Sequence, residues 1–108
     1  MNQKGCSMNC IETVNPATEE ILQSYALMNK KQVNALIDDM QIVQTAWAVS
    51  NFALRKQSLI KLAELLVKNK EKYARCVTSE MGKPLAQAIA EIEKCAHLCE
   101  YYAESSEK

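Results

Sequence analysis

The chain has 108 residues, 48% of them apolar and 24% charged, a balance that suits one soluble globular segment with a modest core. Thirteen basic side chains offset thirteen acidic ones, so no net field draws it to nucleic acid or to an anionic membrane, and no apolar run approaches the roughly 18 residues of a membrane span. Its two glycines, Gly5 and Gly82, are too few for a G-x-G-x-x-G dinucleotide loop and too far apart for a P-loop, which excludes a complete phosphate cradle of either kind.

Residues 1–10 are polar and aperiodic and read as a flexible N-terminus; Lys4 is followed by no apolar h-region, so the stretch is not a secretory signal and a cytoplasmic location is expected. Ile11 to Val14 form a short β-like run, stopped by Asn15-Pro16-Ala17-Thr18, because proline fixes its own φ and pushes the preceding residue out of the helical region. Ile21 to Met28 read as a second strand, with Ile21, Gln23 and Tyr25 alternating against Leu22, Ser24 and Ala26. The expectation is a β-hairpin over about 11–28. Two strands alone are marginal in water and need a partner surface.

Asn29 followed by Gln32 has the form of a capping box and opens a helix over about 30–48. Val33, Leu36, Ile37, Met40, Val43 and Trp47 form its apolar stripe. After a break at Ser50-Asn51, a helix over about 52–81 carries Leu59, Leu62, Ala63 and Leu66 on one face. Tyr73, Ala74, Val77 and Met81 continue it past a weak interruption at Asn69-Lys70. Gly82 supplies a left-handed residue to end this helix, and Pro84 suits the first turn of the next, over about 84–104. That last helix gathers Leu85, Ala88, Ile89, Ile92, Cys95, Ala96, Cys99 and Tyr102 on one side. The fold class is mainly α with an N-terminal β-hairpin.

Several words of the sequence, taken in order, resemble the opening region of aldehyde dehydrogenases. They are Thr13-Val14-Asn15-Pro16-Ala17-Thr18-Glu19-Glu20, then Trp47 and Arg55, Leu62-Ala63-Glu64-Leu65-Leu66, Glu80-Met81-Gly82-Lys83-Pro84-Leu85, Glu91-Ile92-Glu93-Lys94-Cys95 and Tyr101-Tyr102-Ala103-Glu104. Together they span about residues 11–104, and the later words look most like the succinate-semialdehyde dehydrogenase branch. One departure is Glu19, where the commoner form has glycine, so a different turn type is expected there. The resemblance implies the N-terminal piece of a large α/β enzyme that oxidises aldehydes with NAD or NADP, using a cysteine nucleophile, a glutamate base and a Rossmann-like cofactor domain. In that family these groups lie beyond the region present here. No catalytic or cofactor-binding residue is therefore carried over, and the chain by itself is expected to bind no cofactor and to be inactive. A second expectation is a helical interaction module whose partner is the remaining part of the enzyme or a homologous subunit, bound through the hairpin and the apolar helix faces.

One family site transfers in part. Some members hold a monovalent cation with backbone carbonyls before the Asn-Pro turn and an acidic side chain on the helix after Gly-Lys-Pro, which the resemblance places at Thr13, Val14 and Glu91. Oxygen donors suit a hard cation, though Glu91 stands where aspartate is more usual. Cys95, His97 and Cys99 do not make a metal site, because on a helix His97 lies about 200° from Cys95; Cys95 and Cys99 are expected to be buried structural thiols. The five cysteines show no disulfide-framework spacing and read as free thiols, Cys6 and Cys10 accessible ones. Glu80 and Lys83 read as solvated helix-end residues, and Lys68, Lys70, Glu71, Lys72 and Arg75 as a solvated face.

Overall fold

A computed structural model describes residues 9–107. The order is β1 (Cys10–Val14), β2 (Ile21–Ala26), α1 (Lys30–Ala48), α2 (Phe52–Lys68), α3 (Lys70–Met81) and α4 (Leu85–Ser105). These elements fall into two compact units, Met1–Val49 and Ser50–Lys108.

In the first unit β1 and β2 pair antiparallel, from Cys10 opposite Ala26 to Val14 opposite Ile21. Four residues, Pro16 to Glu19, make the connection. Asn15 closes it: its N–H donates to the Glu20 carbonyl (2.9 Å) and its carbonyl accepts from the Glu19 N–H (2.8 Å). The Asn15 side chain also accepts from the N–H groups of Ala17 (2.9 Å) and Thr18 (3.4 Å), an Asx turn that holds the chain in its bend. Glu19 takes the left-handed conformation with φ 63°. The turn therefore keeps the backbone that glycine would favour, and the glutamate bears the steric cost of about 1–2 kcal/mol. Beyond it, the register shifts between Thr13 and Val14, which leaves Leu22 with no residue opposite. This bulge interrupts the alternation expected along β2.

The strands differ from expectation at their ends. Pairing stops at Ala26, and β1 starts at Cys10, within the stretch read as a flexible terminus; the Asn9 carbonyl accepts from the Leu27 N–H (2.8 Å) and extends the ladder. Residues 1–8 of that stretch lie outside the described residues. Cys10 is disulfide-bonded, which corrects its reading as a free thiol.

Helix α1 opens on the capping box expected from its sequence. The Gln32 N–H donates to Asn29 Oδ1 (3.0 Å), and the Asn29 N–H donates to Gln32 Oε1 (2.9 Å). None of its residues is buried.

The second unit is three helices, with α4 packed against both α2 and α3. Asn51 caps α2 through the Leu54 N–H (2.9 Å), and the Arg55 guanidinium, 5.4 Å from the Phe52 ring centroid, donates to the Ser50 hydroxyl (3.1 Å) and carbonyl (2.9 Å). The helix expected over 52–81 is divided at Asn69. There the backbone N–H and the side-chain amide (2.9 Å) both donate to the Leu65 carbonyl, closing α2, while the Asn69 carbonyl accepts from Tyr73 and starts α3. Gly82 ends α3 with φ 71°, and Pro84 sits at the N-cap of α4, one place before its first turn.

The buried residues of this unit are all alanines: Ala63 on α2, Ala74 on α3, and Ala88, Ala96 and Ala103 on α4. The inward line of α2 runs through Leu59, Ala63 and Leu66, whereas Leu62, placed on that face by periodicity, is 46% exposed. Backbones brought together by a methyl group leave no room for a larger one. Ala96→Leu is expected to cost about 1–3 kcal/mol by overpacking, read as a lower Tm, while Ala86→Leu on the exposed side of α4 shifts stability by about 0.5 kcal/mol or less. Glu19→Gly is expected to raise stability by about 1 kcal/mol, since relief of the left-handed strain exceeds glycine's extra unfolded-state freedom. A measured fall would show that the Glu19 side chain holds the turn.

Candidate functional site

The turn Glu80 to Leu85 brings the most characteristic residues together. Gly82 donates its N–H to the Thr78 carbonyl (2.9 Å) and reverses the chain direction, so that Lys83 leaves α3 facing back along α4. The Lys83 ammonium donates to the Glu91 carboxylate in an ion pair that ties the turn to the second turn of α4. Lys83 is thus an anchored residue rather than a solvated helix end. Its partner sits eight positions away, outside the local spacings that sequence reading weighs.

Below this pair an open depression runs along the outer side of α4, lined by Gln87, Glu91, Lys94, Cys95, Leu98 and Tyr101. Cys95 is exposed, which corrects its reading as a buried thiol; Cys99 is half-buried and Cys76 exposed. Helical phase gives the reason. The buried line passes through Ala96, and Cys95, one residue earlier, is rotated by about 100° onto the outer face. Tyr102, also placed on the inner side by periodicity, is 51% exposed and meets Tyr101 edge to face at 5.4 Å. His97 is exposed as well. Among the described residues, no three His, Cys, Asp or Glu side chains converge on a point.

The three residues assigned to a cation are divided between the units. Thr13 and Val14 flank the bulge in β1, where the Thr13 hydroxyl donates to the Gln23 carbonyl (3.5 Å). Glu91 belongs to the helical unit and is already engaged by Lys83. Neither unit by itself gathers all three.

Two further ion pairs cross between helices. Lys56 on α2 meets Glu104 on α4 at 2.9 Å, and Lys70 at the start of α3 meets Glu93 on α4 at 2.5 Å. The hydrogen bond and positive charge of Lys70 hold the Glu93 carboxyl below its ordinary range, against a small opposing effect of desolvation and with a lesser contribution from His97. A carboxylate whose folded pKa is lowered adds stability above its unfolded pKa and loses it as pH falls through the folded one. Carboxyl-resolved NMR is expected to find Glu93 titrating below an unpaired glutamate, and Lys70→Met is expected to return it toward the ordinary value. An unchanged midpoint in the variant would show that the pair does not persist in solution.

The aldehyde dehydrogenase family model matches residues 3–108. The chain belongs to the aldehyde dehydrogenase family. A probable NADP-dependent succinate-semialdehyde dehydrogenase of Synechocystis sp. is 39% identical over 98 residues, which cover 91% of this chain and 22% of that protein. Among solved structures, the chain superposes with a TM-score of 0.83 on the succinic semialdehyde dehydrogenase of Streptococcus pyogenes in complex with NADP+, at 27% identity, covering 89% of this chain and 21% of the other. It superposes with a TM-score of 0.88 on the NADP-dependent glyceraldehyde-3-phosphate dehydrogenase of Bacillus halodurans, at 25% identity, covering 94% and 21%. The mostly helical fold with its antiparallel hairpin is therefore the N-terminal part of the dehydrogenase fold. The chain spans about a fifth of the length of the aldehyde dehydrogenases it matches. No helix among the described residues is long and apolar enough to cross a membrane.

Proposed function

We propose that this chain is the opening segment of an NAD(P)-dependent dehydrogenase acting on a short semialdehyde, succinate semialdehyde in the first instance, and that it works only together with the remainder of such an enzyme. The observation that carries this reading is the succinate-semialdehyde dehydrogenase match over 91% of the chain but 22% of the relative. In this reading the thiolate nucleophile, the glutamate base and the nicotinamide site come from the remaining part, because aldehyde oxidation needs all three in one constellation. The segment supplies structure: a hairpin, α1, and a helical unit whose Lys83–Glu91 pair fixes the start of α4. A monovalent cation at the Thr13 and Val14 carbonyls belongs to the same reading. The second reading, an interaction module, is supported by the exposure of large apolar side chains such as Met40, Val43 and Leu98.

A chimera tests the primary reading. Replacing the matching first segment of the Synechocystis dehydrogenase with this chain is expected to keep succinate-semialdehyde oxidation within about tenfold of the parent, the change of roughly 1.4 kcal/mol that imperfect fit of a remote segment costs. The 108-residue chain alone is expected to reduce neither NAD+ nor NADP+. A folded, soluble chimera without activity, or cofactor reduction by the isolated chain, overturns the proposal.

A further inference from the structure

Helix α1 has two unlike sides. On one, Val33, Leu36, Met40, Val43 and Trp47 follow at steps of three and four residues, the spacing of a coiled-coil seam. Their exposures are 40%, 43%, 67%, 67% and 46%. A shallow groove on this side is bounded by Leu36, Met40, Val43 and Trp47, with Asp39 and Gln44 as its polar edge. Another surface of the same helix presents Lys30, Lys31, Asn34 and Asp38 to water. No α1 residue is buried, and β2 in the same unit is exposed along its whole length. Apolar side chains repeated at seam spacing on one side of a charged helix are the pattern of an amphipathic helix that lies in an apolar groove.

Length indicates the occupant. The chain matches 22% of its Synechocystis relative, which leaves roughly four fifths of such an enzyme as the polypeptide this segment accompanies in the family. We infer that the α1 seam docks onto that remaining part of an aldehyde dehydrogenase when it is supplied as a separate polypeptide, so that the chain completes the enzyme in trans. The inference rests on the proposed function but names its own surface: Leu36, Met40 and Val43 are the anchors.

Trp47, the single tryptophan of the chain, borders the groove and provides a reporter confined to this seam. The full chain, labelled with 5-fluorotryptophan, is combined with unlabelled Synechocystis dehydrogenase lacking its matching first segment. The partner is co-expressed with unlabelled chain for the activity measurement, so that it folds in the chain's presence. The expected result is a shifted fluorine resonance that saturates with partner. Met40→Lys is expected to weaken the complex about tenfold or more, and Asp38→Asn to change it by about twofold or less. Because Met40 is 67% exposed, its replacement leaves the fold intact, which helical circular dichroism checks.

A saturating shift lost in Met40→Lys supports the docking whether or not nicotinamide reduction appears; a complex without activity counts against the catalytic reading alone. Activity restored with no change at Trp47 leaves the catalytic reading standing and overturns docking through α1. A shift that depends on the chain's own concentration, with a dimeric mass, overturns it in favour of a second copy. A partner that stays insoluble beside the chain, or a soluble mixture with neither shift nor activity, overturns it as well.

Discussion

Helix α4 meets α2 and α3 through alanine side chains, and a methyl group sets both how near the backbones come and how little apolar area is sealed away. Ala88, Ala96 and Ala103 are buried on α4, as are Ala63 on α2 and Ala74 on α3. Burial of each methyl contributes about 0.8 kcal/mol, small beside the roughly 1–2 kcal/mol needed to order a single residue's backbone. The helical unit depends as much on the half-buried flanks, among them Leu59, Leu66, Tyr73, Val77, Ile89 and Ile92. The Lys56–Glu104 and Lys70–Glu93 pairs cross the same helix contacts. Screened by solvent, they contribute little to stability, and their main effect is to favour one axial alignment of helices that alanine alone would hold loosely.

The local signals were the legible ones. Asn29 with Gln32, Asn51, and Gly82 each act on backbone groups within four residues, so their roles could be read from the residue types. The four-residue steps of the apolar pattern likewise placed the helices. Which edge of an apolar stripe turns inward was not legible, because Leu59 and Leu62 lie only about 60° apart around the helix and both are apolar; the neighbouring helix chooses. The division at Asn69 was half legible. Its amide can close α2 on the Leu65 carbonyl while its own carbonyl starts α3, a double use that residue type permits without requiring.

The hairpin and the candidate site show the same boundary between local and non-local information. Glu19 adopts the conformation associated with the glycine it replaces, because the Asn15 bonds on either side of the loop determine the backbone and leave the side chain to accommodate. The bulge at Leu22 depends on pairing register, which spacing does not reveal. The resemblance places Glu91 at a cation site, yet the Lys83 ammonium pairs with its carboxylate. A carboxylate's availability as a ligand is a property of its surroundings, and here the competing cation comes from the family's own turn motif.

That motif works through geometry. Gly82 permits the positive φ that stops α3, Pro84 at the N-cap cannot extend a helix backwards, and the Lys83–Glu91 pair fixes how α4 leaves the turn. The rotational setting of α4 follows from this fixed exit: alanines face α2 and α3, and Glu91, Cys95, Leu98 and Tyr101 face outward. An inner face of alanine makes the helices pack closely, while an outer face that includes exposed leucine and tyrosine leaves apolar area to be covered. One closed face and one open apolar face are what a layer inside a larger fold requires, and a segment aligned with about a fifth of its relatives' length has that construction.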